Sequence, residues 1–294
     1  FLERNRLLRL MPLPSVIATL PACLLLFSAP ALAQDGTPPD PNVQRDFVAV
    51  GGGVAVLPDY EGSNNYRVAP VPGAIGSIGG YKFMLLGNRV NVDLIKDKPG
   101  PGWDIQAGPF ASIGFNRSTV KGIDDPRIRA LGKVGTAIEL GGYVGIARQG
   151  VITSDYDRLS LTLSYRHDVN NAYDGAILTP SISYLTPLST KAMVTIFANA
   201  NHADSGYATT YYTITPQQSA RSGLPTYNAR PGWKDMSLGG AANFSLTGDL
   251  THGLSLAAGL VYTRMINDFA NSPVVSVAGS RDQLIGGIGL AYTF

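Results

Sequence analysis

The sequence predicts an all-β fold: a transmembrane antiparallel β-barrel of about twelve strands, with short periplasmic turns and long outer loops. Three observations predict it. Apolar residues alternate with small or polar ones at a period of two through most of the chain after residue 44. The connections between these segments are short and long in turn, as in barrels that cross a membrane. The last segment, "LIGGIGLAYTF", keeps its alternation up to Phe294. A strand needs no solvating tail there if it closes the sheet against the first strand and so removes both edges.

The first segment of the chain is set apart from the fold. Arg4, Arg6 and Arg9 form a basic start, Leu10 to Gln34 carry no charge, and "CLLLF" leads to "APALAQD". This is the pattern of a signal peptide with an A-x-A site, cleaved between Ala33 and Gln34. Pro12, Pro14, Pro21 and Pro30 interrupt the run and argue against an anchoring helix. A lipoprotein reading around Cys23 is weaker, because the apolar run continues past it. The chain opens on Phe1, and Met11 is an alternative start. The organisation expected is therefore signal peptide 1–33, a Pro-rich periplasmic lead-in 34–44, and a barrel over 45–294.

Composition agrees. Charged residues make up 15% of the chain, against about 25% in water-soluble domains, and there are 34 Gly and 14 Tyr. Without residues 1–33 the chain has 20 basic and 20 acidic residues and no Cys. This excludes a disulfide framework and a Cys-based metal site, and gives no support to nucleic-acid binding.

The strand segments run, in order, over 45–57, 65–78, 80–86, 89–95, 102–115, 135–148, 155–168, 175–186, 190–202, 234–247, 251–265 and 281–294. None of the chain after residue 33 carries a convincing helical stripe with caps. "YDRLSLTLSYRHD" shows the alternation most clearly: Leu159, Leu161, Leu163 and Tyr165 on one face, Arg158, Ser160, Thr162, Ser164 and Arg166 on the other. Across the set, the aliphatic face ends in aromatics and the opposite face is small and polar. That is the inverse of a soluble barrel and matches a membrane one. With a periplasmic N-terminus, the even connections are short: Gly79, 96–101, 149–154, 187–189 and 248–250. Among the outer ones, 116–134, 203–233 and 266–280 are long. The short "GN" after residue 86 does not fit, leaving the strand count between 80 and 95 open. Tyr292 and Phe294 look like the C-terminal signal that barrel-assembly machinery reads.

Three stretches carry a family resemblance. They are "GGGVAVLPDYEGSNNYRVAPVPG" at 51–73, "TPQQSARSGLPTYNARPGWKDMSLG" at 215–239 and the end, "SPVVSVAGSRDQLIGGIGLAYTF". Together they resemble the MipA/OmpV family (MltA-interacting protein) of Gram-negative outer-membrane proteins. The resemblance implies an outer-membrane barrel without enzymatic activity. It implies a scaffold linking a murein transglycosylase to a penicillin-binding protein, with a narrow porin-like channel as the alternative. The short even turns count against the scaffold, since they offer little surface to a periplasmic partner.

No chemistry competes with this reading. His167, His202 and His252 cannot be placed with an Asn and a Ser on one patch of the wall, where a catalytic pair would need hydrogen-bond reach, and they have no metal-ligand spacing. No catalytic, cofactor or metal residue is assigned. "GGG" at 51–53 is not followed by a helix, so it reads as close packing or a bend in the wall. Arg158 and Arg166 are candidate lumen charges, either selecting solutes or filling the barrel in ion pairs. Twelve strands lie between barrels that side chains fill and barrels that conduct. In the motif loop Pro58, Asp59, Tyr60, Glu61 and Gly62, the two carboxylates could hold a cation, but a turn with Gly62 at positive φ is favoured. Loop 203–233, with Tyr207, Tyr211, Tyr212, Tyr227 and Trp233, is either a binding surface or a lid over the mouth.

Overall fold

The computed structural model describes residues 46–97 and 101–294. The signal peptide, its cleavage site and most of the lead-in lie outside the described residues. Twelve antiparallel strands form one closed barrel in which each strand pairs with its sequence neighbours and β1 pairs with β12. The strands are β1 (Phe47–Pro58), β2 (Tyr66–Ile78), β3 (Tyr81–Leu86), β4 (Arg89–Val92), β5 (Gly102–Gly114) and β6 (Ala137–Gln149). They continue as β7 (Arg158–Asp168), β8 (Ala176–Pro187), β9 (Ala192–Ala203), β10 (Gly232–Ser245), β11 (Gly253–Met265) and β12 (Asp282–Thr293). The uncertain "GN" is a real two-residue hairpin: Gly87 takes φ 61° and joins two unusually short strands.

The period-two pattern maps onto the wall as expected. Val54, Val144, Leu161, Leu163, Leu260, Ile288 and Leu290 all point outward and are exposed. Outward aromatics form two girdles: Tyr81, Trp103, Phe244 and Tyr292 near the short-turn end, Tyr66, Phe115, Tyr165, Trp233 and Tyr262 near the long-loop end. An apolar band between two aromatic girdles suits a bilayer and would be unfavourable in water. Among the described residues no helix is long and apolar enough to cross a membrane.

Closure fixes the role of the glycine run. Gly51 and Gly53 face Ala291 and Gly289 across the β1–β12 seam. A Cβ on Gly53 would lie 2.2 Å from the Ile288 carbonyl oxygen, and one on Gly51 2.2 Å from that of Leu290. The seam closes only because these side chains are absent.

The long-loop end departs from the sequence expectation in one respect. It carries five short helices: α1 (Pro126–Leu131), α2 (Ser205–Tyr212), α3 (Pro216–Ser222), α4 (Asn267–Asn271) and α5 (Pro273–Ser276). Each has at most eight residues, too few for a 3.6-residue stripe to declare itself. The caps were in the sequence all the same. Thr215 and Gln218 form a reciprocal capping box around Pro216, and Gly223 ends α3 at φ 73°.

These helices fold over the barrel mouth and bury a hydrophobic core of their own. It contains Tyr60, Ile128, Tyr173, Tyr207, Tyr211, Tyr212, Ile214, Phe269, Val274 and Val275. Ring centroids lie 4.6 Å apart for Tyr207–Tyr211, 4.9 Å for Tyr173–Tyr207 and 5.1 Å for Tyr212–Phe269. A fully buried Val, Ile or Phe contributes roughly 1.5–3 kcal/mol, so this core is a cap with its own stability. Of the two readings of loop 203–233, the structure selects the lid.

Candidate functional site

The cap is fastened to the barrel by a polar network that starts in the motif loop. Glu61 lies between β1 and β2. Its carboxylate accepts from the Lys234 ammonium at 2.5 Å and from the Tyr207 hydroxyl at 2.7 Å. Lys234 also pairs with Asp235 at 3.2 Å. Two adjacent charges can both face inward only because a β-bulge interrupts the β9–β10 register between Trp233 and Asp235. From Asp235 the network crosses the wall. The Asn201 amide donates to Asp235 at 2.7 Å, the Thr179 hydroxyl to Asn201 at 2.7 Å, and the Arg166 guanidinium to Thr179 at 3.2 Å. Arg166 pairs with Glu139 at 3.0 Å, and Glu139 accepts from Tyr173 at 2.8 Å and from Ser112. Strands β5 to β10 and the cap thus share one continuous polar network, charge-assisted at every link but Thr179–Asn201.

Glu61 leaves 42% of its side-chain surface exposed, against 4% for Lys234. Burial opposes its ionisation, but the neighbouring Lys234 ammonium and the Tyr207 hydroxyl outweigh that and hold its carboxyl below the ordinary range. The Tyr207 phenol, desolvated and beside the same carboxylate, is pushed well above its ordinary range and remains a donor.

The rest of the motif loop serves the same junction. The Tyr60 hydroxyl donates to the Ala278 carbonyl at 2.8 Å, and Asp59 accepts the Asp124 amide at 2.9 Å. Gly62 sits at φ 97°, with Val275 2.5 Å from where a Cβ would be. Pro58 ends β1. The turn expected at 58–62 is present; Oδ2 of Asp59 and Oε2 of Glu61 accept from protein donors. Among the described residues no group of acids, His or Cys is arranged to hold a metal ion.

Arg158 and Arg166 both point inward, about 26 Å apart along β7. Arg158 pairs with Asp104 and lies 4.0 Å from Asp97, which also pairs with Lys82. Each arginine therefore has a carboxylate partner. Asp168 is buried at the rim, where it accepts the Tyr173 amide at 2.6 Å. His202 packs edge-on to Trp233 at 5.3 Å and His252 to Tyr292 at 6.0 Å, both on the outer wall. His167 lies opposite Leu140, on the outward face. Tyr292 and Phe294 are exposed with rings 4.8 Å apart, and the Phe294 amide donates to Val48 at 2.9 Å. Ala33 and Gln34 lie outside the described residues.

Sequence reasoning missed Lys234 as the partner of Glu61. The signal was present, since two consecutive charges inside an alternating strand demand a bulge. It also missed Asp157, which holds the turn between β6 and β7. Its carboxylate accepts the amides of Val151 at 2.6 Å, Ile152 at 2.8 Å and Thr153 at 2.5 Å, and the Tyr184 hydroxyl at 2.7 Å. Burial opposes the charge, but these donors hold the carboxyl well below the usual range. A depressed pKa stabilises the turn fully above the unfolded value of about 4 and is lost only as pH falls through the folded one. Asp157→Ala should accelerate amide exchange at Val151–Thr153 by about tenfold or more, from roughly 1–3 kcal/mol of orphaned donors. In the wild type the same amides should stay protected down to about pH 4. Unchanged exchange in the variant would remove Asp157 from this role.

A family model described as "MltA-interacting protein MipA" matches residues 50–294, nearly the whole barrel. The chain belongs to this family. It is an outer-membrane β-barrel protein, and the motif loop, the bulge and the cap described above all fall within the matched region. No curated protein sequence matches the chain. Solved barrels resemble it only loosely. The outer-membrane channel DcaP of Acinetobacter baumannii is 9% identical with a TM-score of 0.38, covering 85% of this chain and 96% of that one. A monoaromatic hydrocarbon channel, CymD, is 10% identical with a TM-score of 0.40, covering 85% and 89%. OprD of Pseudomonas aeruginosa is 12% identical with a TM-score of 0.34, covering 84% and 59%.

Proposed function

We propose that this protein is a closed outer-membrane barrel that acts as a scaffold for peptidoglycan-remodelling enzymes. The observation that carries the reading is the closed mouth, with a hydrophobic cap fastened by Glu61, Tyr207 and Lys234 and the lumen arginines held in ion pairs. A channel needs an open lumen; a scaffold needs only a stable surface. The family description supports a murein transglycosylase as the partner, and a penicillin-binding protein is the second enzyme of the proposed assembly. The partner's side is the short-turn end, the periplasmic one in this reading. There the turn locked by Asp157 displays Ile152, 70% exposed, and the next turn displays Leu188, 67% exposed. Thr153 and Thr186 bond at 2.7 Å and tie these turns together. Export through cleavage after Ala33 and assembly through the Tyr292 and Phe294 signal complete the proposal.

A narrow channel is the second reading, favoured by the partial exposure of Glu61 at the barrel mouth. The two separate in a planar bilayer. The refolded protein should insert and stay electrically silent, and a murein transglycosylase of the MltA type should be retained on the immobilised barrel but not on an Ile152→Asp, Leu188→Asp variant. Steady conductance, with ion selectivity that shifts in Arg158→Ala or Arg166→Ala, would replace the scaffold with the pore.

A further inference from the structure

The barrel wall is incomplete on one side. Ten strands have 11 to 14 residues, but β3 has six and β4 has four. β2 pairs with β1 over Tyr66–Ser77 but with β3 only over Gly73–Ile78. The hairpin turn is pinned below, where the Gly87 amide donates to Pro72 at 2.8 Å. On the other flank β4 meets β5 only at Phe110–Ser112, and the Ile113 amide reaches Asn88 at 2.9 Å. Tyr66–Val71 therefore has no strand on that side for a length of about 20 Å. Above the gap the β5–β6 loop crosses to the motif loop, through Asn116 to the Glu61 amide at 3.1 Å and Asp124 to Asp59. The result is a framed side window beneath a closed roof.

An open sheet edge inside hydrocarbon is not tolerated unless its polar groups are removed or satisfied. Here the sequence removes part of them. The Pro72 carbonyl faces the hairpin, so the even-numbered residues of β2 direct their backbone groups towards the gap. Two of them, Pro70 and Pro72, have no N–H to offer. Proline on the edge also opposes the docking of another strand, so the window is not built for β-addition.

Two arginines sit at this opening. Arg89, at the hairpin tip, shares a row with Ser112, Glu139 and Asp168 and so faces the lumen. It is exposed, yet within electrostatic reach of Glu61, Glu139, Arg166 and Asp235. Arg67 lies opposite Leu57 on the inner face of β2, with its Nε buried and unbonded. Among the described residues neither guanidinium makes a hydrogen bond or ion pair, although each offers five donors. Outside, the lips are apolar: Val68 is 69% exposed and Phe115 49%.

We propose that this window is a side entrance for an anionic membrane amphiphile. Its carboxylate or phosphate head meets Arg67 and Arg89, and its chain stays outside between Val68, Pro70 and Phe115. The proposal goes beyond the scaffold reading and does not depend on it. The test is photolabelling of the intact barrel in phosphatidylcholine nanodiscs with a diazirine-bearing palmitate. Labels should concentrate on 66–71 and 110–115. Arg67→Gln with Arg89→Gln should reduce them about tenfold, the loss expected from one or two charge-assisted bonds. The matching long-chain alcohol should label weakly, and acetate or inorganic phosphate should not compete. Both substitutions remove unbonded groups, so heat-modifiable migration should show the variant folded. Labels spread evenly around the wall, or unchanged in the folded variant, would overturn the proposal. Equal competition by inorganic phosphate would overturn the amphiphile in favour of a free anion, and cross-links between two barrels at 66–71 would overturn it in favour of a second copy.

Discussion

Lys234→Ala should release the cap. Lys234 is 4% exposed and faces two carboxylates, Glu61 at 2.5 Å and Asp235 at 3.2 Å. Removing the ammonium leaves Asp235, only 5% exposed, without its counter-ion, at a cost of about 3–5 kcal/mol, while Glu61, partly solvated, adds less. That loss falls on the junction between cap and wall, since the strands keep their own ladders. The expected result is a barrel that still migrates as folded, with loop 204–231 now cut by protease within minutes. A silent bilayer trace should become a conducting one. A folded variant whose loop resists protease as the wild type does would remove the latch from the account. The same bond predicts a pH response. The Glu61 carboxyl is depressed in the folded protein, so its contribution is complete above the unfolded value of about 4.3 and is lost as pH falls through the folded one. The cap should therefore stay closed at neutral and mildly acidic pH and loosen only in stronger acid. Glu61→Gln should abolish that acid step.

Gly53→Val should prevent the barrel from closing. The new Cβ would fall 2.2 Å from the Ile288 carbonyl oxygen and 2.7 Å from the Gly289 Cα, both of them backbone atoms. No rotamer relieves such a clash, so β1 and β12 must separate and give up ladder bonds along the seam. Overpacking alone costs about 1–3 kcal/mol, and the lost pairing adds to it. The expected observation is loss of the heat-modifiable folded band after refolding. Gly52→Ala is the control. Its Cβ would meet nothing nearer than 3.8 Å, the Val71 carbonyl, and the variant should fold like the parent. If Gly53→Val folds equally well, the glycine run is not what permits closure.

The twelve strands were legible because each spans the membrane with a period of two, and a one-residue slip would turn its aliphatic face into the lumen. The bounds read from sequence differ from the observed ones by two residues or fewer, except at the end of β4 and the start of β7, where they differ by three. Those two differences follow from tertiary bonds. Leu94 and Ile95 continue the apolar pattern but leave the ladder where Asp93 accepts the Ile95 and Ala107 amides, at 3.0 and 3.1 Å. Asp157 turns residues 155–157 away from the strand in the same manner. The motif loop was read as a turn, and it is one, but nothing in "PDYEGS" says that Glu61 will meet a lysine 173 residues later.

The sequence by itself therefore determined the barrel: its strands, which face of each meets lipid, a glycine run at 51–53 suited to close packing, and two arginines on the inward face. These depend on periodicity and on local backbone chemistry, which are written residue by residue. Only the tertiary structure decided that the mouth is capped, that Arg158 and Arg166 are paired, and that a window opens above the short β3–β4 hairpin. Those features depend on contacts between distant segments, such as Glu61 with Lys234 and Tyr60 with Ala278, and on how the register accumulates around a closed sheet. Neither is carried by any single stretch of chain.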